Sequence, residues 1–195
     1  MKTMKVKLTF TEEVLGTSPA NAEIYTDFVG SKAPDAMTMQ EEVEMLGADA
    51  VAEKGMTIFP KLEDGTPFLW DYQIKGFFKD TCGALRKVPK SESSKIKAYK
   101  KEIDKLIFVQ PRKIPFAVDG DLGVCERPLR AQTMQGERVS LAKSETIPAG
   151  STIEFEIVML TDNQELVEEW LSYGQWNGIG QWRNSGKGRF DWELV

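Results

Sequence analysis

The chain has 195 residues, 41% of them hydrophobic and 28% charged, with a formal net charge of −5, which fits one soluble globular domain able to bury an ordinary core. It contains no histidine, and this excludes Ser-His-Asp and Cys-His nucleophilic catalysis, imidazole bases and His-ligated metals. Cys82 and Cys125 lack a CxxC spacing and read as reduced thiols, and no apolar run approaches the ~20 residues of a membrane span.

Residues 4 to 10 alternate apolar and polar as a half-buried strand does. The N-terminus has no apolar stretch of a secretory leader, so a cytoplasmic protein with no membrane contact is expected. From about 20 to 54 the chain is acidic and methionine-rich and reads as an insertion, with Met39 to Leu46 as a short helix. Ile58 to Leu62 is a brief strand, Glu63-Asp64-Gly65-Thr66-Pro67 a turn, and Phe68-Leu69-Trp70 continues beyond it. Phe78, Cys82 and Leu85 recur at helical spacing within Phe77 to Lys87, which Pro89 ends.

A basic connection over about 86–105 follows. From Arg86 to Lys113 there are ten Lys or Arg against three acids, a local excess that suits an anionic polymer or a solvated lysine-rich linker. Leu106 to Phe116 is strand-like. Arg127 to Ser140 and Ile153 to Leu160 read as paired strands joined through Ile147-Pro148-Ala149-Gly150. The last helix carries signals at both ends: Asp162 as cap with Glu165 closing a capping box, and Gly174 just past its end. Leu166, Val167, Trp170 and Leu171 lie on one face of it, and Glu165, Glu168 and Glu169 read as its solvent side.

After that helix comes a loop with five glycines, Gly174, Gly178, Gly180, Gly186 and Gly188, and three cations, Arg183, Lys187 and Arg189, with no Asp or Glu between Trp170 and Phe190. Glycines permit close backbone approach and the cations supply charge, so the loop is a candidate phosphate-facing surface. Trp176 and Trp182 read first as core or interface residues and second as stacking faces. Gly76, Lys79 and Arg86 are expected at a helix start, where free amide N–H groups and positive charge bind phosphate, and Lys87 is a further candidate contact to nucleic acid.

With the inserted pieces set aside, the order approximates β-α-β-β-α-β. The expected fold class is α+β, a ferredoxin-like or RRM-like antiparallel sheet with two helices on one face, plus inserted segments and a hairpin. One domain is expected over 1–195.

Three stretches together resemble the repeat-associated mysterious protein (RAMP) superfamily, in particular the backbone subunit of type III CRISPR effector complexes. They are Glu63 to Phe68 followed by Ile74-Lys75-Gly76 and Gly83-Ala84-Leu85-Arg86; Ile147 to Ile157, similar to the strand after the family's thumb-like hairpin; and the glycine-rich loop. The segment Phe77 to Cys82 departs from the family pattern, with aromatics where small serines are usual. The resemblance implies an RNA-binding subunit that holds guide or other single-stranded RNA and oligomerises along it with copies of itself or effector-complex subunits. Ribonuclease-active relatives use an Asp after the first strand with a divalent ion, but nothing around Asp27 or Asp35 carries that role across. No catalytic residue, metal or cofactor is therefore assigned. The alternative is a stand-alone phage or mobile-element protein that coats single strands or interferes with a host complex through protein contacts.

Overall fold

A computed structural model of the chain describes residues 1–19, 55–133 and 136–195. The acidic segment with its expected helix at Met39 to Leu46, and both Asp27 and Asp35, lie outside the described residues. The elements in chain order are β1 (Lys2–Phe10), β2 (Val14–Leu15), β3 (Ser18–Pro19), β4 (Thr57–Ile58), β5 (Phe68–Trp70), α1 (Asp71–Leu85), α2 (Tyr99–Leu106), β6 (Ile107–Gln110), β7 (Lys113–Ala117), β8 (Gly123–Thr133), β9 (Gly136–Ile147), β10 (Thr152–Met159), α3 (Gln164–Ser172) and β11 (Phe190–Leu194). The chain divides into two compact units, one of residues 1–14, 60–121 and 147–195, the other of 15–59 and 122–146.

The first unit contains the antiparallel sheet β11-β1-β10-β7-β5, with β6 also paired to β10. Counting β6 and β7 as one interrupted strand, the spatial order is fourth, first, third, second. With α1 and α3 as the crossovers, this is the β-α-β-β-α-β arrangement. Alternation explains why it has one dry face. Met4, Val6, Leu8 and Phe10 of β1 stand opposite Ile157, Phe155, Ile153 and, on β11, Phe190, and all are buried. The intervening residues point the other way.

Helices close the dry face because each carries an apolar stripe. Ile74, Phe77, Phe78 and Cys82 are buried on α1, and Leu166, Val167, Trp170 and Leu171 on α3. Aromatic pairs stitch the layers together: Phe77 meets Phe190 edge-on at 5.3 Å, Phe78 lies 5.3 Å from Trp170, and Phe10 sits 5.6 Å from Phe116. Such contacts are favourable beyond the area they bury. The basic connection is itself partly helical, since α2 packs on α1 and β6 through Ile103.

In the second unit β8 and β9 form a long antiparallel hairpin, in register from Gly123 opposite Thr146 to Thr133 opposite Gly136. This corrects one expectation: Arg127 to Ser140 is not a single strand paired with Ile153 to Leu160, because the chain reverses within it. β10 pairs instead with β1, β6 and β7. Thr57 of β4 runs parallel to Ser144, their hydroxyls 2.8 Å apart, and the Phe59 amide donates to Glu145 Oε2 at 3.0 Å.

The ends of α3 also differ from expectation. Asn163 rather than Asp162 is the N-cap and makes no side-chain cap bond, its Nδ2 donating to Thr161 Oγ1 at 2.8 Å, while Asp162 pairs with Lys2 at 2.6 Å. Gly174 stands just past the C-cap Tyr173, as expected, but without the left-handed conformation. It lies within a 3-10 turn over Tyr173–Gln175, where an added Cβ would fall 2.2 Å from the Phe190 ring.

Candidate nucleic-acid interface

α1 begins at Asp71, where the Trp70 amide donates to Gln73 Oε1 at 2.8 Å and Asp71 stands in the first turn. Gln73 supplies the reach-back half of a capping box. The helix therefore starts five residues before Gly76, and the expectation that Gly76, Lys79 and Arg86 sit at a helix start is corrected. Gly76 and Lys79 are interior, with their amides inside the helical ladder, and Arg86 is the C-cap, its amide donating to Cys82 O at 3.0 Å. The periodic apolar stripe begins at Ile74 rather than Phe78, which is why the sequence placed the start too late.

Lys79 does line a groove, with Lys87 further along. Lys79, Asp80, Gly83, Ala84, Lys87, Tyr99 and Lys100 line a wide, open depression of about 700 Å³ between α1 and α2. Arg86 stacks over the Tyr99 ring at 5.1 Å, and Gly83 lets the Tyr99 hydroxyl approach, since a Cβ there would lie 3.1 Å from it. Lys79 is held by Asp104 at 2.5 Å. Neighbouring Lys75 donates to Asp104 O at 3.1 Å, and burial pushes its pKa down. Lys87 and Lys100 are exposed.

The glycine-rich loop is tightly built. Gly178 is pressed on Gly188, so that a Cβ on Gly178 would fall 2.1 Å from the Gly188 carbonyl carbon and one on Gly188 would fall 1.9 Å from Ile179 O. The Ile179 amide donates to Gly188 O at 2.9 Å and the Gly188 amide to Glu13 O at 2.8 Å. These two glycines thus serve the packing of the loop on itself. Gly180 and Gly186 have positive φ of 93° and 86°, and Trp182 caps the short 3-10 turn Arg183–Ser185 at φ 55°.

The loop cations have protein neighbours. Arg183 Nη1 donates to Asp80 Oδ2 at 2.7 Å, and Asn177 Nδ2 reaches the same oxygen at 3.1 Å. Lys187 Nζ donates to Glu13 Oε1 at 2.5 Å. Arg189 packs against Gly186, its Nε buried without a protein partner. Asp80 lines the α1–α2 groove, so Arg183 brings one end of the loop to that groove's wall. Lys187 and Arg189 instead stand beside the chain leaving β1, where Arg189 O accepts from the Thr11 amide at 2.9 Å.

Among the described residues, the sheet face turned away from the helices has no positive excess at its centre. Lys5 and Lys7 stand opposite Glu156 and Glu154 on β10, and Lys7 stands opposite Glu193 on β11. Ion pairs form between Lys5 and Glu156 at 3.7 Å and between Lys7 and Glu193 at 3.3 Å.

Sequence reasoning missed two groups. Glu169 is no solvent-face carboxylate: it accepts from the amides of Glu92 and Ser93 at 2.8 and 3.0 Å and from Ser93 Oγ at 2.5 Å, while Trp170 Nε1 donates to Ser93 Oγ at 3.0 Å. No local pattern reveals that, because its partners are about 77 positions away. The second group gathers Phe68, Trp70 and Tyr72 with Arg112 and Lys113 at the sheet edge. The alternation of aromatics at 68, 70 and 72 was the available signal for it.

Among the described residues no three Cys, Asp or Glu side chains gather as a metal-holding cluster, and no helix is long and apolar enough to cross a membrane. No protein-family model matches the chain, and no curated protein matches its sequence. Solved structures do match in fold. The chain superposes over its whole length on a subunit of a type III-B Cmr-beta complex bound to cognate target RNA, with TM-score 0.54 and 11% identity, and spans 61% of that subunit. It also superposes over its whole length on a chain of a type IV-B CRISPR complex, with TM-score 0.50, 10% identity and 90% of that chain covered. The fold is thus an α+β, ferredoxin-like arrangement, shared with these two chains.

Proposed function

We propose that this chain is a non-catalytic RNA-binding subunit of a CRISPR-type effector assembly, a divergent relative of the RAMP backbone proteins, and that it oligomerises along guide or other single-stranded RNA. The second unit then serves as insertions into one RAMP-like fold, since both of its segments interrupt the first unit in sequence. The observation that carries the reading is the α1–α2 groove. Lys87 and Lys100 are exposed in it, Arg86 lies over its Tyr99 wall, and its Asp80 is engaged by Arg183. The likeness in fold to a subunit of an RNA-bound complex supports the same reading. Phosphates run along this groove, with Arg183 extending the positive surface when a phosphate replaces Asp80 as its partner, Lys187 doing so when one replaces Glu13, and Arg189 adding its own charge. Gly178, Gly180, Gly186 and Gly188 hold that loop in shape.

Counterion release sets the test. A site contacting about four phosphates of a single strand loses about fiftyfold in affinity over a fourfold rise in salt. The double variant Lys87→Glu, Lys100→Glu weakens binding uniformly across sequences and flattens the slope of log affinity against log salt by about 1.4. Salt-independent binding of single-stranded RNA, or an unchanged slope in the double variant, would rule the groove out. Size-exclusion chromatography of the natively purified chain, read at ultraviolet wavelengths that separate RNA from protein, tests oligomerisation: a large species co-eluting with RNA is expected, and a nucleic-acid-free monomer opposes it.

A further inference from the structure

We propose that Trp70 and Tyr72, flanked by Arg112 and Lys113 at the edge of the sheet, form a stacking platform for an unpaired base of single-stranded RNA. The proposal rests on the RNA-binding reading above and adds to it a contact to bases, separate from the phosphate groove.

The platform follows from register. β5 is the terminal strand in the order β11-β1-β10-β7-β5, and Leu69 turns inward opposite Ile114. Phe68 and Trp70 therefore point to the other face, opposite Pro115 and Lys113. α1 begins one residue later, which places Tyr72 beside Trp70, the rings 6.0 Å apart and within 15° of parallel. Phe68 meets Trp70 edge-on at 5.0 Å and 82°. The Asp71 amide donates to Arg112 O at 3.0 Å, tying the turn before β7 to the helix start. Arg112 then lies 5.6 Å from the Trp70 ring centre, and Lys113 lies 5.4 Å from that of Phe68.

Burial grades along the row: Phe68 is 2% exposed, Trp70 is intermediate, and Tyr72 is 56% exposed. A row of core aromatics would be covered at both ends, and this one is anchored at one end and open at the other. Protection of the sheet edge by charge does not account for an exposed ring laid parallel on a tryptophan of the terminal strand. An open π-face beside a guanidinium and an ammonium is the combination that takes a nucleobase with its neighbouring phosphate. The Asp71 carboxylate beside the rings accepts from the Tyr72 amide at 2.9 Å.

The test compares two probes on the full chain: a single-stranded oligoadenylate of about 12 nucleotides, and an oligomer of the same length with abasic riboses, which keeps the phosphates and removes the bases. The wild-type chain is expected to bind the oligoadenylate about tenfold more tightly, with quenching of tryptophan fluorescence. Tyr72→Ala abolishes that preference and leaves affinity for the abasic oligomer unchanged, whereas Tyr72→Phe retains both. Arg112→Gln, which spares the ring row, reduces the preference as a second check, and circular dichroism verifies folding of each variant. A base preference undiminished in Tyr72→Ala, or equal binding of both probes by wild type, overturns the platform and leaves the groove reading standing. Failure of wild type to bind either probe overturns both. Loss of self-association in Tyr72→Ala with base preference intact assigns the rings to a protein contact and overturns the platform as well.

Discussion

Glu169 and Cys82 illustrate how single residues are defined by what folding brings to them. Glu169 receives three hydrogen bonds from Glu92 and Ser93 and thereby caps the 3-10 turn Glu92–Lys95, while Ser93 in turn accepts from Trp170. Hydrogen bonds to a charged acceptor contribute more than neutral ones, so Glu169→Ala is expected to lower stability by about 2 kcal/mol in urea unfolding. Burial pushes the Cys82 thiol above its ordinary value of 9.0, partly offset by Ser93 and Arg86. Below that value the thiol is neutral in both folded and unfolded chains. Above it the unfolded thiol ionises first, so stability falls as pH rises through the raised folded value. Unfolding curves above the ordinary value of 9.0 should show this decline, and Cys82→Ala should lessen it. An unaltered pH profile in that variant would assign the decline to other groups.

At the scale of elements, the glycine-rich loop tests two uses of glycine. If Gly178 and Gly188 exist for packing, Gly178→Ala destabilises by about 2 to 3 kcal/mol through overpacking. Gly186 has a positive φ but its nearest neighbour for an added Cβ is Arg189 at 3.3 Å, so Gly186→Ala costs only about 1 kcal/mol, the penalty of the left-handed conformation. Equal urea midpoints for Gly178→Ala and wild type would mean the loop is looser than described. Periodicity made the apolar faces of α1 and α3 and the strand at β1 legible. It did not place the onset of α1, because a stripe counted from Phe78 omits Ile74 one turn earlier and Gln73 caps the helix through a polar side chain. Nor did it reveal the reversal inside Arg127 to Ser140.

For the whole molecule, what matters is where charge lands. On the sheet face turned away from the helices lysines meet glutamates across strands, while Lys87 and Lys100 are exposed in the α1–α2 groove. Lys5→Ala and Lys7→Ala are therefore expected to leave RNA affinity within about twofold, since each removes a cation already matched by an acid. A loss comparable to that of the Lys87, Lys100 double variant would move the binding path onto the sheet. The local excess of cations between Arg86 and Lys113 was plain in the chain, but its division was not: Lys95 pairs with Glu92, Arg112 and Lys113 join the aromatic edge, and Lys87 and Lys100 line the groove.

The sequence alone determined the class of the fold and the apolar faces of its main elements, because alternation and helical periodicity are local properties that burial turns directly into strands and helices. Only the tertiary structure decided which cations are matched by carboxylates and which stand open. Asp80 with Arg183, Glu13 with Lys187 and Asp104 with Lys79 come from positions far apart in the chain, and Coulomb attraction depends on distance in space, which spacing along the sequence does not encode.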